Sequence, residues 1–268
     1  MLLGGIAVIS AILAAGKCLG GTFWVLPLWF AVYYVELFVV AFGFLVAVSY
    51  VVDQDREQEK DNPFYRFVIS LYIEALVMLL RVRIHTEGME KTPKDGRFLL
   101  VCNHQFVADP GVLLHAFRKN QLAFISKKEN RDLFCIGRLM HKILCQELDR
   151  EDDRQALRVI LKCIQILKED KASIAVFPEG GTNHDELLHP FRPGVFKIAQ
   201  KANVPIVVCT VKNTRLVIKN ALKGGTDVKL RLVDVIPGEE LKGKTTVEIA
   251  ERVYGMMAAD LGPELVAK

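Results

Sequence analysis

Apolar and polar residues change their spacing several times along this chain, and the changes predict its elements. From residue 83 onward, short apolar runs alternate with longer segments of helical period. The runs at 83–86, 98–102, 123–126, 172–177, 205–211 and 228–235 read as strands. Residues 109–117, 152–169, 193–202 and 245–261 read as helices. Within 152–169, Ala156, Ile160, Cys163, Ile164 and Leu167 share a face, acids open the segment and Lys168 closes it. That is the charge order a helix dipole favours. Alternating strands and helices predict an α/β fold, a mostly parallel sheet flanked by helices.

Upstream the pattern is different. Residues 2–15 are apolar, a glycine-rich break follows, and 23–52 are almost wholly apolar. The second stretch exceeds the roughly 20 helical residues that cross a hydrocarbon core. Trp24, Trp29, Tyr33, Tyr34 and Tyr50 supply rings suited to a bilayer interface. Glu36 must face protein, water or headgroups. The stretch is either a span or one arm of a hairpin that dips into one leaflet with 2–15. A cleaved signal peptide is the alternative, and no basic residues precede the apolar stretch as that would require. After a polar linker, Arg66, Ser70 and Glu74 form a narrow polar stripe on an otherwise apolar helix over 64–83. Such a helix suits a membrane interface and a protein core equally. The expected organisation is membrane-embedded helices over 1–52, a linker and interfacial helix over 53–82, and one α/β domain over 83–268.

Charge sharpens this division. Lys17 and Glu36 are the charged side chains of residues 1–52, so the formal +4 belongs to the remainder. A mildly basic domain tied to apolar segments is drawn to anionic headgroups. No dense basic stripe with interleaved aromatics exists, so nucleic acid is not an expected partner. Cys18, Cys102, Cys135, Cys145, Cys163 and Cys209 contain no C-x-x-C spacing. They read as small buried hydrophobes in a reducing compartment, and no metal site is expected.

Two strand ends carry candidate chemistry. The apolar run 98–102 delivers His104 at its carboxyl end, with Asp109 five residues later. A turn can bring the two together. Imidazole, with an unperturbed pKa of about 6.5, is the natural base near neutrality, and a carboxylate on its other nitrogen fixes the tautomer. Asp109 before Pro110 also reads as a helix N-cap. Neighbouring Cys102 raises a Cys–His nucleophile, but a strand residue two positions away diverges once the turn begins, and no G-x-S-x-G elbow exists. The second strand end is Phe177, Pro178, Glu179, Gly180, Gly181, Thr182 and Asn183. Such a loop can offer backbone N–H groups to an anion and a carboxylate to a polyol. Residues 238–245 fit the Walker A pattern, but two glutamates occupy the loop and only about 23 residues follow, too few for a P-loop sheet. A solvent-exposed turn before the last helix is the preferred reading.

Together these segments resemble the glycerophospholipid acyltransferase family. Asn103, His104 and Asp109 match its N-H-x4-D signature, and Phe177, Pro178, Glu179 and Gly180 its F-P-E-G signature. Leu148-Asp149-Arg150 and Val204-Pro205-Ile206-Val207 look like its other two blocks, and Lys127-Lys128-Glu129 and the Phe191 to Gly194 stretch are similar to further family positions. The resemblance covers about residues 83 to 215 in order. It implies transfer of an acyl group from acyl-CoA or acyl carrier protein to a lysophospholipid hydroxyl, with no resident cofactor. His104 would be general base and Asp109 its orienter, with backbone N–H groups near 103–106 facing the oxyanion. Asn103, Lys127, Arg150, Glu179, Gly180 and Thr182 would hold the acceptor. The implied setting is a membrane, with the catalytic domain on the cytoplasmic face. Three departures bear on the acceptor: Gly181, Thr182 and Asn183 replace the family's Thr-Arg-Ser, which shifts phosphate binding toward Arg150 or Lys127, Leu144 stands where a glycine is usual, and Val208 replaces the second proline of the fourth block. A different lyso-lipid acceptor and a non-catalytic lipid-binding relative are the alternatives. His85, His115, His141, His184 and His189 receive no role, His184 being read as a loop residue.

Overall fold

The computed structural model describes residues 1–149, 152–182, 185 and 187–267. Arg150, Asn183 and His184 lie outside the described residues. The chain opens with helices α1 (Leu2–Lys17) and α2 (Leu26–Tyr50), which pack against each other as a hairpin. A short 3-10 turn extends α2 to an apolar helix over Phe23–Tyr50, long enough to cross a membrane. Trp24, Val35, Phe38 and Val40 are exposed on it, while Ser49 is buried and Leu45 and Val48 pack on the protein near its end. Glu36 is exposed on the same helix.

Helix α3 (Pro63–Leu79) begins where Asn62 accepts from the Phe64 and Tyr65 N–H groups, with Pro63 in the first turn. Its polar stripe faces the protein. Arg66 forms an ion pair with Asp61 at 2.6 Å and donates to Leu122 O at 3.0 Å, while Glu74 meets the amino terminus at 3.3 Å. The exposed positions are apolar instead, among them Phe64, Phe67, Leu76 and Leu79.

The α/β region follows with β1 (Val82–Glu87), β2 (Leu99–Cys102), α4 (Asp109–Ala116), β3 (Leu122–Lys127), α5 (Ile136–Lys142) and β4 (Gln146–Leu148). It continues with α6 (Asp153–Lys168), β5 (Ser173–Val176), α7 (Lys197–Ala202), β6 (Ile206–Lys212), α8 (Leu216–Asn220), β7 (Thr226–Ile236) and α9 (Thr246–Leu261). Among the described residues seven strands form one sheet in the order β1-β7-β6-β2-β5-β3-β4. All pairings are parallel except β6 with β7. The sheet is therefore mostly parallel and flanked by helices, as the alternating pattern implies.

Burial explains which strand sits where. Central β2 and β5 are buried throughout, as strands covered on both faces must be. Near the edge, β7 buries Thr226, Val228, Leu230 and Leu232 while Asp227, Lys229 and Arg231 face outward. Cys163 and Leu167 of α6, Ile198 of α7 and Met257 of α9 pack on one face of the sheet; Val112 and Leu113 of α4 and Val217 of α8 pack on the other. Helix α6 buries Val159, Cys163, Ile164, Ile166 and Leu167, so its inward face is rotated slightly from the sequence reading. Strand β4 and helices α5 and α8 have no counterpart in that reading. The span 193–202 is a 3-10 turn, Pro193–Phe196, followed by α7. All six cysteines are buried and unpaired.

The Walker-like segment holds no phosphate cradle. Gly238–Leu241 is a 3-10 turn, and Thr245 caps α9 by accepting from Glu248 N–H at 3.2 Å while Glu248 accepts from Thr245 N–H at 2.6 Å. The threonine that would meet a metal in a P-loop instead closes a capping box.

Candidate active site

Sheet register brings the two candidate segments together. Val101 of β2 lies opposite Val176 of β5 in a parallel pair. Three residues further along each chain come His104 and Glu179, both at the carboxyl rim of the sheet. There the His104 N–H donates to Glu179 Oε1 at 2.8 Å. Strand β3, on the other side of β5, ends at the same rim with Lys127.

The five-residue spacing between His104 and Asp109 closes because the intervening turn wraps the carboxylate. Asp109 Oδ2 accepts from Gln105 N–H at 2.7 Å, from Phe106 N–H at 2.8 Å and from His104 Nδ1 at 2.8 Å. Helix α4 starts at Asp109, with Pro110 in its first turn. The carboxylate points back into the preceding turn; Ala108 occupies the cap position. Asp109 Oδ1 is buried without a hydrogen-bond partner among the described residues. No donor on that oxygen draws off charge that the imidazole would otherwise meet.

With Nδ1–H donated to Asp109, Nε2 carries the lone pair. It meets Thr182 Oγ1 at 3.0 Å. The side chain of His104 is 16% exposed and that of Asp109 fully covered, so a substrate can reach the ring and cannot reach the carboxylate. Phe177 stacks on the imidazole with centroids 4.1 Å apart and 18° between planes, and Phe124 stacks behind Phe177 at 6.1 Å. Two rings thus fix the plane of the histidine.

Glu179 braces the rim. Its Oε2 accepts from His189 N–H at 3.0 Å, so its two oxygens tie both neighbouring segments. Burial pushes its carboxyl above the ordinary carboxylate range, and the backbone donors of His189 and His104 pull part of the way back. Asn103 is equally engaged: its Oδ1 accepts from Val211 N–H at 2.7 Å and its Nδ2 donates to Val211 O at 3.0 Å. The buried amide fastens β2 to the end of β6. Lys127 pairs with Glu129 at 3.4 Å and is half-exposed. Gly180 has φ +79°, and a Cβ there would meet Arg192 Nε at 2.6 Å. Only a residue without a side chain admits the arginine to this position.

The geometry therefore unites His104, Asp109, Glu179, Gly180 and Thr182. It places Asn103 one step behind them and Lys127 on the same rim, while Arg150 lies outside the described residues. Of the turn 103–106, whose backbone N–H groups are the sequence candidates for holding an oxyanion, those of His104, Gln105 and Phe106 are engaged by Glu179 or Asp109. The carboxylates need those donors to close the turn. Phe177 and Arg192 were not singled out by sequence for these contacts. An aromatic at a strand end and an arginine in a loop have many commoner uses.

The acyltransferase family model matches residues 83–212, which contain this whole constellation. Residues 83–212 form an acyltransferase-family domain. A probable 1-acyl-sn-glycerol-3-phosphate acyltransferase of Mycoplasma pneumoniae is 34% identical over 152 residues, 55% of this chain and 54% of that one. The chloroplastic 1-acyl-sn-glycerol-3-phosphate acyltransferase of Brassica napus is 30% identical, over 63% of this chain and 48% of its own length. The chain thus spans about half the length of these two curated relatives. The crystal structure of the 1-acyl-sn-glycerophosphate acyltransferase of Thermotoga maritima superposes with a TM-score of 0.63 at 22% identity, covering 82% of this chain and 86% of that one. The chain shares its fold over that coverage.

Proposed function

We propose that this protein transfers an acyl group from a thioester, acyl-CoA or acyl carrier protein, to the free hydroxyl of 1-acyl-sn-glycerol 3-phosphate. The product would be phosphatidic acid, a phospholipid precursor. The observation that carries this reading is the His104–Asp109 pair at 2.8 Å, reachable at Nε2, inside the region matched to the acyltransferase family.

In the proposed step the acceptor hydroxyl oxygen attacks the thioester carbonyl while Nε2 takes its proton. Asp109 holds the tautomer and stabilises the imidazolium. Collapse of the tetrahedral adduct breaks the C–S bond, and the departing sulfur takes the proton from Nε2. An ester and a free thiol result, and His104 returns to its starting form.

Arg192, seated against Gly180, and Lys127 are the proposed partners of the acceptor's phosphate, a guanidinium being suited to that oxyanion. Arg150 belongs to the same proposed set from its motif alone. Glu179 and Asn103 would act on the acceptor through the loops they hold. Thr182 would meet the acceptor at Nε2. The apolar α2 and the outward apolar face of α3 suit a membrane-bound enzyme whose two substrates carry acyl chains. Val107, 69% exposed on the catalytic turn, puts an apolar side chain beside the base. A cytoplasmic catalytic domain fits six unpaired cysteines.

The test offers purified full-length protein 1-acyl-sn-glycerol 3-phosphate, its lysophosphatidylcholine and lysophosphatidylethanolamine counterparts and a monoacylglycerol, with labelled acyl-CoA and acyl carrier protein in separate arms. Turnover confined to the phosphate monoester supports the reading. Turnover on the other acceptors alone refutes it.

A further inference from the structure

The atom that Nε2 of His104 meets is part of the protein. Thr182 Oγ1 lies 3.0 Å away, within hydrogen-bonding distance of the nitrogen that must accept a proton during transfer. Since Nδ1–H is donated to Asp109, the threonine hydroxyl is the donor to Nε2. An acceptor alcohol has to place its own O–H at that point. Thr182 is exposed, so its side chain can leave the ring without disturbing a packed core. Its β-branched side chain has few χ1 wells, so leaving means a hop between discrete rotamers. Such hops at exposed residues take picoseconds to nanoseconds.

A transferase with a bound thioester and an exposed base faces a competing reaction. Water at Nε2 would attack the same carbonyl, break the C–S bond, and release a carboxylic acid and a thiol. We propose that Thr182 is a specificity-determining residue that stands in for the acceptor hydroxyl. It holds Nε2 against water until an alcohol of the lipid takes its place. This inference rests on His104 acting as the general base. It adds that the balance between transfer and hydrolysis is set by one hydroxyl in the loop after Gly180. A hydroxyl donor is matched by the incoming alcohol, so exchanging one for the other conserves the hydrogen bond. Removing the donor from the protein leaves the nitrogen to solvent.

The test uses full-length wild type, T182A, T182S, H104A and the T182A/H104A pair, each checked by thermal unfolding. Free thiol release is followed without acceptor, and lipid product with saturating 1-acyl-sn-glycerol 3-phosphate, using acyl-CoA and acyl carrier protein as donors in parallel. T182A should release thiol roughly tenfold faster than wild type, the scale of one hydrogen bond. T182S should stay near wild type in both reactions, and T182A should shift the ratio of thiol released by hydrolysis to lipid product severalfold toward hydrolysis at every acceptor concentration. The double variant should lose the extra hydrolysis. Unchanged thiol release in T182A overturns the proposal. So does an unchanged ratio of hydrolysis to transfer in folded T182A, or an acyl adduct on Thr182 in the intact mass of wild type, which would make the hydroxyl a nucleophile. Full transfer by H104A would instead remove the general-base reading itself, a separate failure.

Discussion

Replacing Asp109 by Asn separates charge from architecture at this site. The Asn carbonyl can occupy the place of Oδ2 and accept from Gln105 and Phe106 N–H, so the turn still closes. Its amide nitrogen then lies where buried Oδ1 has no partner, which costs about 1–3 kcal/mol and a few degrees of Tm. The lost charge matters more. Unit charges about 4 Å apart at an effective dielectric near 20 attract by about 4 kcal/mol. That attraction is available to the imidazolium and is gone from D109N. At about 1.4 kcal/mol per decade, kcat should fall about a thousandfold, with acceptor KM changed by less than about threefold. D109A is the poorer variant, because it strands two backbone donors in a buried turn and mixes folding with catalysis. The assay is initial-rate acyl transfer on detergent-purified protein beside thermal unfolding of the same sample. A folded D109N that keeps kcat within about tenfold of wild type would refute the argument.

Glu179→Gln puts an amide nitrogen against the N–H of His104 or His189, and kcat should drop about tenfold to a hundredfold with acceptor KM unchanged. A rise in KM alone would make Glu179 a direct acceptor contact. Because burial raises the Glu179 carboxyl, the folded chain keeps a proton that the unfolded chain gives up. Wild-type stability should therefore decline as pH rises from about 4.3 through the raised value, and E179Q should lack that decline in a pH series of melts. Gly180→Ala strains φ +79° and drives a Cβ into Arg192, so it should raise acceptor KM severalfold; kinetics equal to wild type would show that the arginine does not matter there. Thr245→Ala opens the capping box of α9 and should cost about 1 kcal/mol of stability without changing kcat, read by chemical denaturation.

Local features of this chain were legible where each residue's pattern had one physical meaning. The apolar runs 98–102, 172–177 and 228–235 read as strands from the sequence, and they contain β2, β5 and most of β7. His104 and Asp109 were readable because an imidazole at a strand end and a nearby acid share a short turn. Strand β4, three residues long, and α5, which follows Cys135 at φ 58°, carry too few positions for a period to emerge. The Asn103 amide reaches Val211, 108 residues away, and register alone puts Glu179 against His104. Neither follows from spacing along the chain. The polar stripe of α3 was visible, but its direction depended on Leu122 O and Asp61 waiting for Arg66. Thr182 could be named as a site residue, yet its place on Nε2 needed the folded rim.

The proposed acyl transfer depends on proton abstraction by His104. The direct measurement is the acyl-transfer rate of H104A, in protein whose melting temperature matches wild type, with 1-acyl-sn-glycerol 3-phosphate and both thioester donors. Loss of a general base predicts a fall of about 10²–10⁴-fold in kcat. Transfer by H104A at the wild-type rate would contradict it.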